Sequence, residues 1–177
     1  LQTIVSRQVD LTDGAAAVTV AQFNAGNRHN IIPESATLSG TVRTLTEPIR
    51  AQVHAAITRM AQKTAEAAGL TAEVQIERGY PVLTNDSALG AKVLGALEAT
   101  AGAAGVRVIP PMLGSEDFGA FGARAPSFYW ALNAPPWTDR PVPANHSALF
   151  QIDEAYLKTG VKAYLQVALS YLFGSSR

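Results

Sequence analysis

Hydrophobic and polar positions along the first eighty residues mark a short series of elements. Residues 17–23 are rich in β-branched and aromatic side chains and predict a strand. A polar loop follows over 24–34, punctuated by Gly26 and Pro33. Thr37, Ser39, Thr41 and Arg43 then alternate with Leu38, Gly40 and Val42, and a period of two predicts a half-buried strand. Thr46 suits an N-cap, with Glu47 and Pro48 in the first helical turn. Ile49, Val53, Ile57 and Met60 recur behind it at near-helical spacing, and Gly69 stops the helix. Ala72, Val74 and Ile76 alternate with Glu73, Gln75 and Glu77, which predicts another strand. Residues 1–7 read as the tail of a helix. The order is helix tail, strand, strand, helix, strand. A complete ferredoxin-like unit runs βαββαβ; its first strand and most of its first helix would be absent here.

Arg78-Gly79-Tyr80-Pro81 marks a boundary. Beyond it, Asn85 or Asp86 caps a helix carrying Leu89, Val93, Ala96 and Leu97, which ends near Gly102. Residues 106–109 predict a short apolar strand. Pro110-Pro111 leads into a Gly114-Ser115-Glu116-Asp117 turn and a short helix. Residues 127–132 predict an apolar, aromatic strand. A proline-rich loop covers 134–145, and Asp153 caps a final helix. Alternating helices and strands suggest an α/β layer.

Composition narrows the partners. Fourteen basic and fourteen acidic residues give zero formal charge. No basic stripe appears, which argues against nucleic acid or a charged membrane surface. There is no cysteine, hence no disulfide framework and no thiolate site. The most apolar stretch, 161–173, contains Lys162 and Gln166 and is too short and too polar for a membrane span. No signal peptide opens the chain, and the expected location is the cytoplasm.

Candidate chemistry is sparse. His146 lies on the loop before the last helix, where an imidazole can ligate a metal if other ligands converge; the plainer reading is a loop histidine bonded to nearby backbone. Ser115 reads as a helix cap, with Glu116 and Asp117 complementing the macrodipole. A second reading makes Gly114-Ser115 a glycine turn whose backbone meets a ligand. Arg43 falls on the polar face of its strand, and an Arg fork with an Asn30 amide suits a carboxylate. By composition alone Arg43 is a solvated strand residue. His29 could be a ligand or base, with a polar loop residue as the plainer reading, and His54 reads as a surface residue on its helix. One histidine cannot hold a zinc, which needs three or four protein ligands.

Five segments in one order carry a resemblance. They are Leu1-Gln2-Thr3-Ile4-Val5-Ser6-Arg7, His29-Asn30-Ile31-Ile32-Pro33, Gly40-Thr41-Val42-Arg43-Thr44, Gly114-Ser115-Glu116-Asp117-Phe118, and His146-Ser147 through Phe150 to Asp153-Glu154. Together they resemble the second half of the M20 metallopeptidase family, closest to its amidohydrolase branch of hippurate and N-acyl amino acid hydrolases.

The resemblance implies an α+β, incomplete ferredoxin-like lid (dimerisation) domain over residues 1–78. The C-terminal part of an α/β metallohydrolase catalytic domain would follow over 79–177. It implies two divalent metal ions in the complete enzyme, zinc, manganese, cobalt or nickel, with a glutamate as general base. His146 would be a metal ligand. Asn30 and Arg43 would hold the substrate carboxylate, and Gly114, Ser115 and Glu116 would line the substrate pocket. The family's Cys-Gly-His-Asp segment, its Glu-Glu pair and a further histidine ligand have no counterpart here, so no general base is assigned within the chain. Ala148 stands where the family often has Pro. The expected partners are a small-molecule N-acyl amino acid, a second copy through the lid, and an N-terminal catalytic half. The isolated chain is expected to be inactive. The other reading is a non-catalytic dimerisation or binding module from the same family.

Overall fold

The computed structural model describes residues 1–174. Their elements are α1 (Thr3–Gln8), β1 (Ala16–Ala25), β2 (Ala36–Thr44), α2 (Glu47–Ala67), α3 (Ser87–Ala101), α4 (Gly119–Gly122) and α5 (Leu157–Phe173), with 3-10 turns at Ala103–Gly105 and Glu154–Tyr156. The chain divides into two compact units. One comprises Leu1–Leu83 with Pro110–Ala120, the other Thr84–Ile109 with Phe121–Arg177.

In the first unit β1 and β2 pair antiparallel. Ala21 is an extra residue between Val20, opposite Gly40, and Gln22, opposite Ser39. Such a bulge sets two residues against one. It keeps the strand in phase with its partner. Val18, Val20, Phe23 and Ala25 face Val42, Gly40, Leu38 and Ala36 across the ladder, so one face of the sheet is apolar except for Thr44, opposite Ala16 at its end. The other face pairs Ala17 with Arg43, Thr19 with Thr41, Gln22 with Ser39 and Asn24 with Thr37. Ser39 Oγ donates to Gln22 Oε1 there at 2.9 Å. Gly40 is required by close approach, because a Cβ would collide with the Thr19 carbonyl oxygen.

Helix α2 covers only one end of the apolar face. Thr46 caps it through Ile49 N–H, with Pro48 in the first turn. Its buried Ile49, Val53 and Ala56 pack with Ile4 and Val9 and with Val18 of β1, and Ile57 and Met60 lie against that cluster. Ile4 and Val53 are fully buried, each stabilising the unit by about 1.5–3 kcal/mol. Burial then fades outward along the sheet: Val18 is buried, while Phe23 is 69% and Leu38 51% exposed. The alternation expected of β2 is present, but its half-burial reaches only Val42 and Thr44.

In the second unit Asp86 caps α3 by accepting from Leu89 N–H at 2.7 Å, and Gly102 closes that helix. Val93 and Leu97 of α3 pack on Ala163 of α5, with Leu89, Val106, Phe128, Trp130 and Val167 around them. Asp153 caps the 3-10 turn leading into α5. The other side of α5 is uncovered. Val161, Leu165, Leu169 and Leu172 recur every three or four residues, and each is more than half exposed.

The strands expected at 72–76, 106–109 and 127–132 do not form, since the sheet of the described residues has two strands only. A strand needs a neighbour to accept its ladder. Ala72 and Val74 are nevertheless half-buried between exposed Glu73 and Gln75, so the period of two survives without pairing. Val108 is 89% exposed. Total accessible surface is 13766 Å². Two separate folded domains of half this chain's size would together expose about 10,000 Å².

Candidate functional site

Arg43 stands on the polar face near the end of β2, opposite Ala17. Its Nη1 donates to the backbone carbonyl oxygen of Leu113 at 2.7 Å. That carbonyl directly precedes Gly114, so Arg43 and the Gly114-Ser115-Glu116 turn meet within the first unit. Gly114 and Ser115 are exposed and Glu116 is half-buried. The capping reading of Ser115 is corrected here. Helix α4 begins four residues later at Gly119, and Glu116 is the local acceptor, taking Phe118 N–H on Oε1 at 3.2 Å.

Gly119 closes this segment against another. It is buried, and a Cβ there would lie 2.5 Å from the Pro81 carbonyl oxygen. Residues 79–82 are themselves held at the start of α2. Arg50 donates from Nη1 to Tyr80 O and from Nη2 to Gly79 O, both at 3.1 Å. Glu47 accepts from Arg50 Nη1 at 3.0 Å, from Arg78 Nη2 at 2.9 Å and from Val82 N–H at 3.3 Å. Burial raises the Glu47 carboxyl pKa, but the hydrogen bonds from Val82, Arg50 and Arg78 and the Arg50 charge outweigh it, leaving the group below its ordinary value. His54, one turn along α2, is half-buried and not the surface residue expected. Burial lowers its pKa first, the Arg50 and Arg78 charges add to that, and Glu47 opposes them.

Sequence reasoning missed this cluster. The Glu47–Arg50 pair has helical i,i+3 spacing and was visible. Nothing local announces that Arg78 and Val82 return to it.

Asn30 and His29 lie exposed in the loop joining β1 to β2. His146 belongs to the second unit, exposed on a turn in which Ser147 N–H donates to Ala144 O at 3.2 Å and Leu149 N–H to Ser147 Oγ at 3.1 Å. Its φ is 69°, and among the described residues no other non-glycine has positive φ. A side chain at that angle is strained by about 1–2 kcal/mol, and such strain concentrates at working sites.

Among the described residues, no three His, Cys, Asp or Glu side chains gather to hold a metal ion. His146 by itself does not fit a metal centre, which needs three or four protein ligands. No described helix is long and apolar enough to cross a membrane.

Residues 4–170 match the profile of Peptidase family M20/M25/M40. The chain belongs to that family, whose members are metal-dependent hydrolases. It is 30% identical to thermostable carboxypeptidase 2 of Saccharolobus solfataricus, over 95% of this chain and 42% of the relative. It is 34% identical to the N-acetyldiaminopimelate deacetylase of Enterococcus faecalis, over 92% of this chain and 41% of the relative. A crystal structure from methicillin resistant Staphylococcus aureus, provisionally described as an aminohydrolase, superposes with a TM-score of 0.83 at 28% identity, covering 97% of this chain and 43% of that one. The chain thus spans about two-fifths of the length of the curated relatives it matches.

Proposed function

We propose that this chain is the lid and C-terminal catalytic portion of a metal-dependent amidohydrolase that cleaves N-acyl amino acids. The reaction adds water across the amide bond, releasing a carboxylic acid and the free amino acid. Arg43 carries the reading. Its guanidinium lies 2.7 Å from the carbonyl before the Gly114 turn, bringing an anion-binding fork to that exposed glycine segment. A substrate carboxylate would take the Arg43 fork with an added hydrogen bond from Asn30, while the backbone of Gly114 and Ser115, beside Glu116, lines the acyl side.

His146 would offer one imidazole to a divalent metal, zinc, manganese, cobalt or nickel. The remaining ligands and the general base would come from polypeptide outside these 177 residues. Residues 1–78 would serve as an incomplete ferredoxin-like dimerisation lid and 79–177 as catalytic layer, in a cytoplasmic homodimer. The exposed apolar stripe of α5 and the outer sheet face support this, since both are surfaces a larger protein would cover. The same surfaces favour it over a self-contained dimerisation module, in which they would have become polar.

The test is hydrolysis of N-acetyl amino acids with each of the four metals. Two proteins are compared: the purified 177-residue chain, and one extended by the coding sequence upstream of it. Turnover by the extended protein alone is the expected result. Turnover by the 177-residue chain would refute the division of labour. Inactivity of both toward every N-acyl amino acid tried would favour the non-catalytic module.

A further inference from the structure

The cluster at the start of α2 lies outside the residues assigned to substrate. Helix α2 meets residues 79–82 through Glu47 and Arg50, and three backbone groups are taken there: the carbonyls of Gly79 and Tyr80 and the N–H of Val82. Arg78 adds a second guanidinium to the same carboxylate. Nη1 and Nη2 of one planar guanidinium take the two carbonyls in a fixed geometry that the shorter-reaching, freely rotating ammonium of Lys does not hold. The strap so fixed carries Pro81, whose carbonyl abuts buried Gly119 with no room for a methyl group. Gly119 ends the segment that Arg43 grips at Leu113. The Gly114-Ser115-Glu116 turn is therefore bounded at both ends by unit-one backbone that α2 and β2 hold.

We propose that Glu47 and Arg50 are positioning residues for the Gly114-Ser115-Glu116 turn, acting through the strap 79–82 and its contact with Gly119. The significance for catalysis rests on the reading of that turn as substrate-lining; the mechanical coupling does not. Glu47 and Arg50 touch no residue assigned to substrate, and their influence passes through backbone. Packed backbone of this kind transmits displacement because it has no slack to absorb it.

Amide hydrogen exchange on the full 177-residue chain tests the coupling without any substrate. Glu47→Gln and Arg50→Lys should each speed exchange about tenfold at the Val82 amide and at the Phe118 and Ala120 amides, leaving those of Val53 to Ile57 unchanged. Lys63→Ala, which removes only the exposed Lys63–Glu66 pair, should change neither segment. Gly119→Ala separates the two segments without touching the ionic groups. It should speed exchange at 118–120 by itself, and Glu47→Gln added to it should then have no further effect there while still loosening Val82. Faster exchange at Val82 alone in the single variants overturns the coupling, and no change at either segment overturns the clamp. A uniform rise that includes Val53 to Ile57 also overturns it, because that marks loosening of the whole unit. If the coupling holds while turn variants of the extended enzyme keep full activity, the substrate reading fails and the coupling stands.

Discussion

Arg43 Nη1 and the Leu113 carbonyl oxygen lie 2.7 Å apart, joined across seventy positions of sequence. The donor is charged and the acceptor is a neutral backbone carbonyl, so a carboxylate would be the stronger partner for the same guanidinium. The bond holds the start of the Gly114 turn.

Substitution of Arg43 should therefore cost little stability. Arg43→Ala is expected to lower unfolding stability in urea by at most about 1 kcal/mol, since the bond is exposed. Arg43→Lys should hold the Gly114 and Ser115 amides against exchange better than Ala but less well than Arg, since one Nη1 donor makes the bond and the ammonium is a differently placed donor. Full protection in the Lys variant would show that charge alone suffices.

Acid should weaken the first unit in two steps. The His54 pKa is depressed below its ordinary 6.5, so below pH 6.5 the unfolded chain takes up a proton that the folded chain resists. Stability present at neutral pH is lost as pH falls from 6.5 toward the depressed value. The Glu47 pKa is also depressed, from an ordinary 4.5, so its contribution is present above 4.5 and lost as pH falls through the folded value. Thermal melts between pH 8 and pH 3 should show both declines. His54→Gln should flatten the first and leave the second, and Glu47→Gln should do the reverse. A pH-independent melting temperature between 8 and 5 would refute the first step.

The turn at His146 separates backbone from imidazole. At φ 69° a glycine is unstrained and a β-branched residue is heavily penalised. His146→Gly should stay within about 0.5–1 kcal/mol of the parent, because relief of strain offsets the added freedom of the unfolded chain. His146→Val should cost about 1–2 kcal/mol more than the glycine variant. Equal stability of the two in urea would mean the turn relaxes and stores no strain.

Much of this architecture is written locally. Thr46 and Asp86 cap where their side chains predict, Asp153 caps the 3-10 turn ahead of the final helix rather than the helix itself, and Ile49 and Val53 bury as their spacing requires. The Gly102 stop of α3 is equally local. The unformed strands share a different reason. Residues 72–76, 106–109 and 127–132 have the composition of strands, but a ladder is a property of two segments, and the described chain supplies a partner only to β1 and β2. The site divides the same way. Arg43 stands out by its place on a polar strand face. Glu47 and Arg50 gain their meaning from Gly79, Tyr80 and Val82, contacts that exist only once the chain has turned back on α2.

Ala21 carries a consequence for how this strand tolerates change in length. A strand repeats every two residues, so removing one residue ordinarily inverts everything beyond it. Ala21 is the exception, because the bulge already holds it outside the register. Without it Val20, opposite Gly40, would run straight on to Gln22, opposite Ser39, and Phe23 and Ala25 would keep their face. The strand thus holds one residue in reserve: a single deletion in β1 is absorbed by loss of the bulge, whereas a single insertion needs a second bulge or a matching shift in β2.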